Sequence, residues 1–141
     1  KDKGIEVVET VTEDNPSYVT AVEGVIESDK ETHTLVGTLL GEKHPRIVSV
    51  DGIDFELPPA GNIIITFHED RPGVIGQTGT LLAKQDVNIA YMTCGRQDGR
   101  GATAMLGITL DSAPKDKTLE DLRAMEAMKR VLHVALPPLG E

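Results

Sequence analysis

A short polar loop, His68 to Gly73, carries the side chains of this sequence that are best suited to bind a small ligand. An Ile-rich segment precedes the loop and an apolar segment with helical spacing follows it, so it joins a predicted strand to a predicted helix. The first N–H groups of a helix have no partners within it and carry the positive end of its dipole. The loop therefore predicts a site that binds a carboxylate.

Two side chains of this loop complement an α-amino acid. Asp70 can accept a hydrogen bond from an ammonium group, and His68 can donate one to a carboxylate or hydroxyl. Gly73 lets a ligand approach the backbone closely. The alternative interpretation is purely structural, with Asp70 capping the helix and His68 ending the strand.

Asn88 is the second candidate, because it begins a predicted strand in which Asn is disfavoured. Two interpretations stay open for it. Its amide either contacts the amino or carboxyl group of a ligand or satisfies local backbone in a turn.

Three basic residues, Lys43, His44 and Arg46, surround a turn in a chain that is otherwise acidic. They form either a small anion site or a set of solvated charges. With 14 Lys and Arg against 23 Asp and Glu, the net charge of −9 argues against a nucleic-acid partner, which requires a basic face.

Several other functions are disfavoured. The longest apolar run, Asn62 to Phe67, is far shorter than the roughly 20 residues of a membrane helix. We find no glycine-rich nucleotide motif, no zinc-ligand spacing and no nucleophile–base pair, and expect no catalytic residue, metal or cofactor. The single cysteine, Cys94, excludes an internal disulfide, indicates a reducing compartment and is predicted to be a buried, inert thiol.

Residues 1–60 are rich in β-structure without a clear helix, and Asp51-Gly52 predicts a type I′ hairpin. We expect strands within Ile5 to Val11 and within Ser17 to Ile26. One face of such a sheet must be covered, and we expect the cover to come from a missing N-terminal segment or a partner chain.

Residues 61–141 follow the order β-α-β-β-α-β, which predicts a ferredoxin-like α+β domain preceded by a β-rich partial domain. Pro72 is expected in the first turn of the first helix, and Thr118 is expected to cap the second. Gly76 and Gly79 weaken the first helix, and close packing on the sheet is expected to compensate.

The segments His68-Glu69-Asp70-Arg71-Pro72-Gly73-Val74-Ile75-Gly76 and Asp86-Val87-Asn88-Ile89-Ala90 resemble an ACT domain. The segment from Pro45 to Gly61 is similar to the end of the intervening, allosteric substrate-binding domain that precedes it in D-3-phosphoglycerate dehydrogenases. Iron–sulfur L-serine dehydratases carry a similar pair of domains and remain an alternative parent family.

The resemblance implies a regulatory, non-catalytic fragment of an NAD-dependent parent in serine synthesis, located in the cytoplasm or in an organelle lumen after processing. ACT domains pair edge to edge, and L-serine or a similar amino acid binds at that interface. The effector-binding positions carry over onto His68, Asp70, Arg71, Pro72, Gly73, Val74 and Asn88. Asp70 departs from family members that have Asn there, and some ACT domains dimerise without any known ligand. The basic residues near position 45 correspond to an anion or substrate effector site.

Overall fold

The computed structural model describes residues 20–27, 29–41, 43–97 and 102–139. The predicted strand from Ile5 to Val11 lies outside these ranges. The described elements are β1 (Ala21–Glu27), β2 (Thr32–Leu40), β3 (His44–Val50), β4 (Ile53–Leu57), β5 (Gly61–Glu69), α1 (Val74–Lys84), β6 (Ile89–Arg96), β7 (Thr103–Leu110), α2 (Asp116–Arg123) and β8 (Met128–Leu136).

The first four strands form an antiparallel sheet in the order β1-β2-β3-β4. The predicted hairpin between β3 and β4 is confirmed, because Asp51 and Gly52 have φ angles of 50° and 76°. A two-residue type I′ turn requires positive φ at both positions, which Asp tolerates and Gly adopts without strain. Asp51 also accepts a hydrogen bond of 2.9 Å from the backbone N–H of Thr34 and so fixes the turn to β2.

The last four strands form a second antiparallel sheet in the order β6-β7-β5-β8. With α1 after β5 and α2 after β7, the predicted ferredoxin-like order is confirmed. The helices cover one face, where a buried apolar cluster joins strands and helices. That cluster is made of Ile64, Leu82, Val87, Leu106, Ile108, Leu110, Leu119, Leu122 and Val131.

The two sheets pack against each other through a second apolar cluster. It combines Ile47, Ile53, Phe55 and Leu57 of the first sheet with Ile63, Ile65 and Met105 of the second. Strand β5 is therefore buried on both faces, as its Ile-rich sequence predicts. The expectation that the cover of the first sheet lies outside the chain is wrong for β3 and β4, because the second sheet provides it.

Strands β1 and β2 are less completely covered among the described residues. Their exposed large apolar side chains are Val22, Val25, Ile26, Leu35 and Leu39. For this part of the first sheet, a cover from elsewhere stays a prediction.

Three local predictions about the helices are wrong. Helix α1 begins at Val74, so Pro72 precedes it rather than lying in its first turn. Helix α2 begins at Asp116 with Lys115 at its N-cap, and Thr118 is a buried residue within the helix whose hydroxyl has no partner. A Cβ on Gly76 or Gly79 would meet no atom within 4 Å, so neither glycine provides the expected close packing within the chain.

Candidate functional site

His68 lies near the end of β5 on the helix-covered face of the second sheet, and only 3% of it is exposed. Its Nδ1 shares a hydrogen bond of 3.1 Å with the hydroxyl of Thr66, two residues earlier on the same face. Burial lowers the pKa of His68, and the nearby charge of Lys129 lowers it further, whereas Asp70 raises it. In a neutral imidazole one nitrogen donates a hydrogen bond and the other accepts one, so the nitrogen that is not bonded to Thr66 can pair with a polar group of a ligand.

Three residues form a row across the sheet at this end. In the strand registers, His68 of β5 and Arg96 of β6 both pair with Ala104 of β7, one from each side. Paired residues of antiparallel strands lie on the same face, so His68 and Arg96 flank the small, buried side chain of Ala104. Neighbouring strands are about 4.8 Å apart, so the three residues lie side by side on this face, with His68 and Ala104 buried.

Asp70, in the loop that follows β5, forms an ion pair with Arg96. The Nη2 of Arg96 lies 2.8 Å from one carboxylate oxygen of Asp70 and 3.0 Å from the other. The Asp70 side chain is only 19% exposed, whereas that of Arg96 is 70% exposed. The carboxylate is thus largely shielded by the fold, and the guanidinium is the exposed partner of the pair.

The N-terminus of α1 begins directly after this loop. Gly73 occupies the N-cap with φ of 92°, a left-handed conformation that favours glycine. No side chain forms a cap hydrogen bond there, so the interpretation of Asp70 as a helix cap is wrong. The first N–H groups of the helix are available to an anion beside the Asp70 carboxylate.

The other predicted loop residues contribute differently. The Nη2 of Arg71 lies 3.1 Å from Glu126, whose hydrogen bond raises the pKa of Arg71, and its Nη1 lies 3.8 Å from Glu69. Arg71 is therefore bound to acidic neighbours and not to Asp70. Pro72 is exposed at the surface of the loop, and Val74, the first residue of α1, is buried.

Asn88 lies at the opposite end of the sheet. It precedes β6, whereas Arg96 ends that strand, so at about 3.3 Å per residue the two are roughly 26 Å apart. The amide of Asn88 donates a hydrogen bond of 2.5 Å to the carboxylate of Asp111 and is exposed. Within one chain, Asn88 is not brought together with His68 and Asp70.

The three basic residues at the turn between β2 and β3 differ in their contacts. Lys43 and His44 are exposed at the start of β3. Arg46 donates to Glu56 at 3.3 Å and to the backbone carbonyl of Pro45 at 2.9 Å, so its charge is already compensated.

The described residues hold no group of three His, Cys, Asp or Glu side chains suited to a metal ion. Cys94 is exposed on β6, which contradicts its predicted burial, although partial desolvation raises the pKa of its thiol and keeps it weakly reactive. Among the parts of the chain that the structure describes, no helix is long and apolar enough to cross a membrane.

Arg96 and Ala104 were not identified as site residues from the sequence. Their contribution depends on the pairing of β6 and β7, which brings residues 96, 104 and 68 side by side. One weak signal in the sequence could have identified Arg96. Residues two apart in a strand share a face, so Arg96 lies on the same face as Cys94, at the end of the strand that meets the polar loop.

Residues 62–127 match the ACT domain family. Relatives include the D-3-phosphoglycerate dehydrogenases of Archaeoglobus fulgidus, 32% identical over 136 residues, and Methanocaldococcus jannaschii, 34% identical over 136 residues. Each match covers 96% of this chain and 26% or 25% of the relative. The chloroplastic D-3-phosphoglycerate dehydrogenase 2 of Arabidopsis thaliana is 35% identical over 96 residues, or 68% of this chain and 15% of the relative.

The second half of the chain is therefore an ACT domain, with the fold expected of one. Over 96% of its length the chain is similar to D-3-phosphoglycerate dehydrogenases, and together with the ACT domain this similarity supports its assignment as a C-terminal regulatory region of that enzyme. The chain spans about a quarter of the length of the curated relatives it matches.

Proposed function

We propose that this chain is the regulatory and oligomerisation region of an NAD-dependent D-3-phosphoglycerate dehydrogenase and binds L-serine or a similar amino acid. The observation that carries the proposal is the fixed, largely shielded carboxylate of Asp70 beside the uncapped N-terminus of α1. A carboxylate and a helix N-terminus side by side match the ammonium and carboxylate of one α-amino acid.

In this proposal the imidazole of His68 is the third group that binds the amino acid. Its ring is anchored to Thr66 at one nitrogen, which leaves the other nitrogen for a ligand. Because burial lowers its pKa, the imidazole is neutral at pH 7 and adds no charge to a zwitterionic ligand.

A second copy of the chain supplies Asn88 in this proposal. Strand β6 is an edge of the second sheet, so its outer backbone groups are free to pair with another strand. Antiparallel pairing of β6 with the β6 of a second copy brings residue 88 of one chain beside residue 96 of the other. Each site then combines the loop of one copy with Asn88 of its partner, so ligand and dimer stabilise each other.

The domain division is part of the proposal. Residues 1–60 correspond to the end of the intervening, allosteric substrate-binding domain, and residues 61–141 to the ACT domain. NAD chemistry is assigned to another part of the parent, and Lys43, His44 and Arg46 to an anion contact of the first domain. The proposed compartment is the cytoplasm or an organelle, in keeping with the chloroplastic relative.

Isothermal titration calorimetry with L-serine and glycine tests this function. We expect L-serine to bind at micromolar to millimolar concentration and to raise the melting temperature more than glycine does, since glycine lacks the hydroxyl. Asp70→Ala abolishes binding in this account, whereas Asp29→Ala, an exposed acid in the β1–β2 turn, leaves it unchanged. A stable dimer that binds no amino acid at millimolar concentration would identify the chain as a ligand-free dimerisation module.

A further inference from the structure

Arg96 is the one strong cation in contact with the Asp70 carboxylate among the described residues, and the sequence patterns predict no role for it. Resting on the proposed amino-acid site, we infer that Arg96 is a specificity-determining residue that leaves Asp70 when the ligand enters and then binds the ligand's carboxylate.

The first step of the argument is the contrast in burial between the two partners. Asp70 is held by the loop, with its backbone N–H donating to the carbonyl of Ala102 at 3.0 Å. Arg96 is 70% exposed in the single chain, so few packing contacts within the chain hold its long side chain on Asp70. An ion pair with such an exposed partner is worth little, and a ligand ammonium can replace it at low cost.

The second step is the balance of charge. Asp70 alone would repel the carboxylate of an amino acid bound beside it, which is the objection to having Asp rather than Asn at this position. When Arg96 shifts onto that carboxylate, the single pair Asp70–Arg96 is replaced by two pairs and no charge is left without a partner. The planar guanidinium can bind a carboxylate with two parallel hydrogen bonds.

The third step is placement. Arg96 and His68 flank Ala104 on one face of the sheet, and α1 begins at Val74, four residues after Asp70. A ligand whose ammonium reaches Asp70 therefore has its carboxylate between the helix N–H groups and Arg96. Ligands that lack either charge satisfy only half of this arrangement, so the site selects zwitterions over amines and over hydroxy acids.

Calorimetry with three compounds tests the role of Arg96 in the full 141-residue chain. The compounds are L-serine, L-serinamide, which lacks the carboxylate, and L-glycerate, which has the same configuration but lacks the ammonium. In the unmodified chain we expect L-serine to bind at least tenfold more tightly than either analogue. Arg96→Gln should reduce the ratio of serine affinity to serinamide affinity at least tenfold, and Arg96→Lys should restore part of it.

Asp70→Asn is the matched variant, since it keeps an acceptor oxygen but removes the negative charge that faces the ammonium, and it should reduce the preference for serine over glycerate. Thermal unfolding of each variant shows whether it is folded, and the affinity ratios do not depend on small changes in stability. If Arg96→Gln keeps the ratio of the unmodified chain, Arg96 has no role in specificity although the amino-acid site stands. If the unmodified chain binds none of the compounds, the amino-acid site itself is wrong and this role falls with it.

Discussion

Gly95 of β6 lies against the backbone carbonyl of Asp54 in β4, so close that a Cβ at position 95 would overlap the carbonyl oxygen. The same Cβ would lie 2.8 Å from a methyl carbon of Ile53. This contact joins the two sheets at a point one residue from Arg96. The proposed effector site and the first sheet are thus neighbours along the same strand.

The first prediction concerns this contact. Gly95→Ala should lower the free energy of unfolding by about 1–3 kcal/mol, because the added methyl group forces β4 and β6 apart. Gly79→Ala is the control, since its Cβ meets nothing within 4 Å. Alanine is favoured over glycine in a helix by about 1 kcal/mol, so this variant should be at least as stable as the original. Urea denaturation of both variants checks the pair, and equal stability of Gly95→Ala and the original chain would contradict the contact.

The second prediction concerns communication between the site and the first sheet. If ligand binding moves Arg96, the amide signals of Ile53 and Asp54 should shift in NMR spectra on addition of L-serine. In Gly95→Ala the same signals should respond differently to the ligand, because the contact is altered. Chemical shifts confined to the loop and α1 would show that the first sheet does not sense the ligand.

The third prediction concerns His33, which connects the first sheet to β8. Its Nδ1 lies 2.9 Å from Asp51, and its Nε2 lies 3.1 Å from Glu31 and 3.2 Å from a guanidinium nitrogen of Arg130. The hydrogen bond to Asp51 is the main cause that raises the pKa of His33, followed by the hydrogen bond to Glu31, whereas Arg130 lowers it.

Because the folded-state pKa is raised, protonated His33 stabilises the fold fully below its ordinary pKa of about 6.5. That contribution is lost as the pH rises through the higher folded-state pKa. The difference in unfolding free energy between the original chain and His33→Gln should therefore shrink above about pH 6.5. Asp51→Asn keeps the turn and should lower the pKa of His33 in an NMR titration. A stability difference that grows with pH would contradict the assignment.

The fourth prediction has the opposite sign and concerns His68. Its pKa is lowered mainly by burial, so its neutral form stabilises the fold above about pH 6.5. This contribution is lost as the pH falls from that value toward the lower folded-state pKa. Since Asp70 raises the pKa of His68, Asp70→Asn should lower it further, as NMR titration of the imidazole can show. An unchanged pKa of His68 in that variant would mean that the charge of Asp70 does not act on His68.

Much of the fold follows from local sequence patterns. The helical spacing of α1 and the Asp51-Gly52 turn each depend on neighbouring residues, and these predictions are confirmed. Strand β7, in contrast, is buried on both faces. The packing of the two sheets does not depend on neighbours in sequence. It brings Ile53 and Phe55 against β6 and β7, and only the full topology gives that arrangement.

The candidate site likewise combines residues that local sequence identifies with residues that only the folded chain brings together. The loop from His68 to Gly73 was identified because its residues are contiguous and of unusual type. Arg96 was not, because its contact with Asp70 spans 26 positions and depends on the register of β6 with β7. Asn88 is separated from the loop within one chain, and the dimer proposed above would bring it to the loop of the second copy.

The most direct test of the account is a mixing experiment with two inactive variants. Asp70→Ala and Asn88→Ala each remove one half of the proposed shared site, so neither should bind L-serine alone. When equal amounts are unfolded together and refolded, half of the dimers are hybrids, and each hybrid contains one intact site. Calorimetry of the mixture should recover about one quarter of the original serine sites. A mixture that binds no more serine than the separate variants would contradict a site built from two copies of the chain.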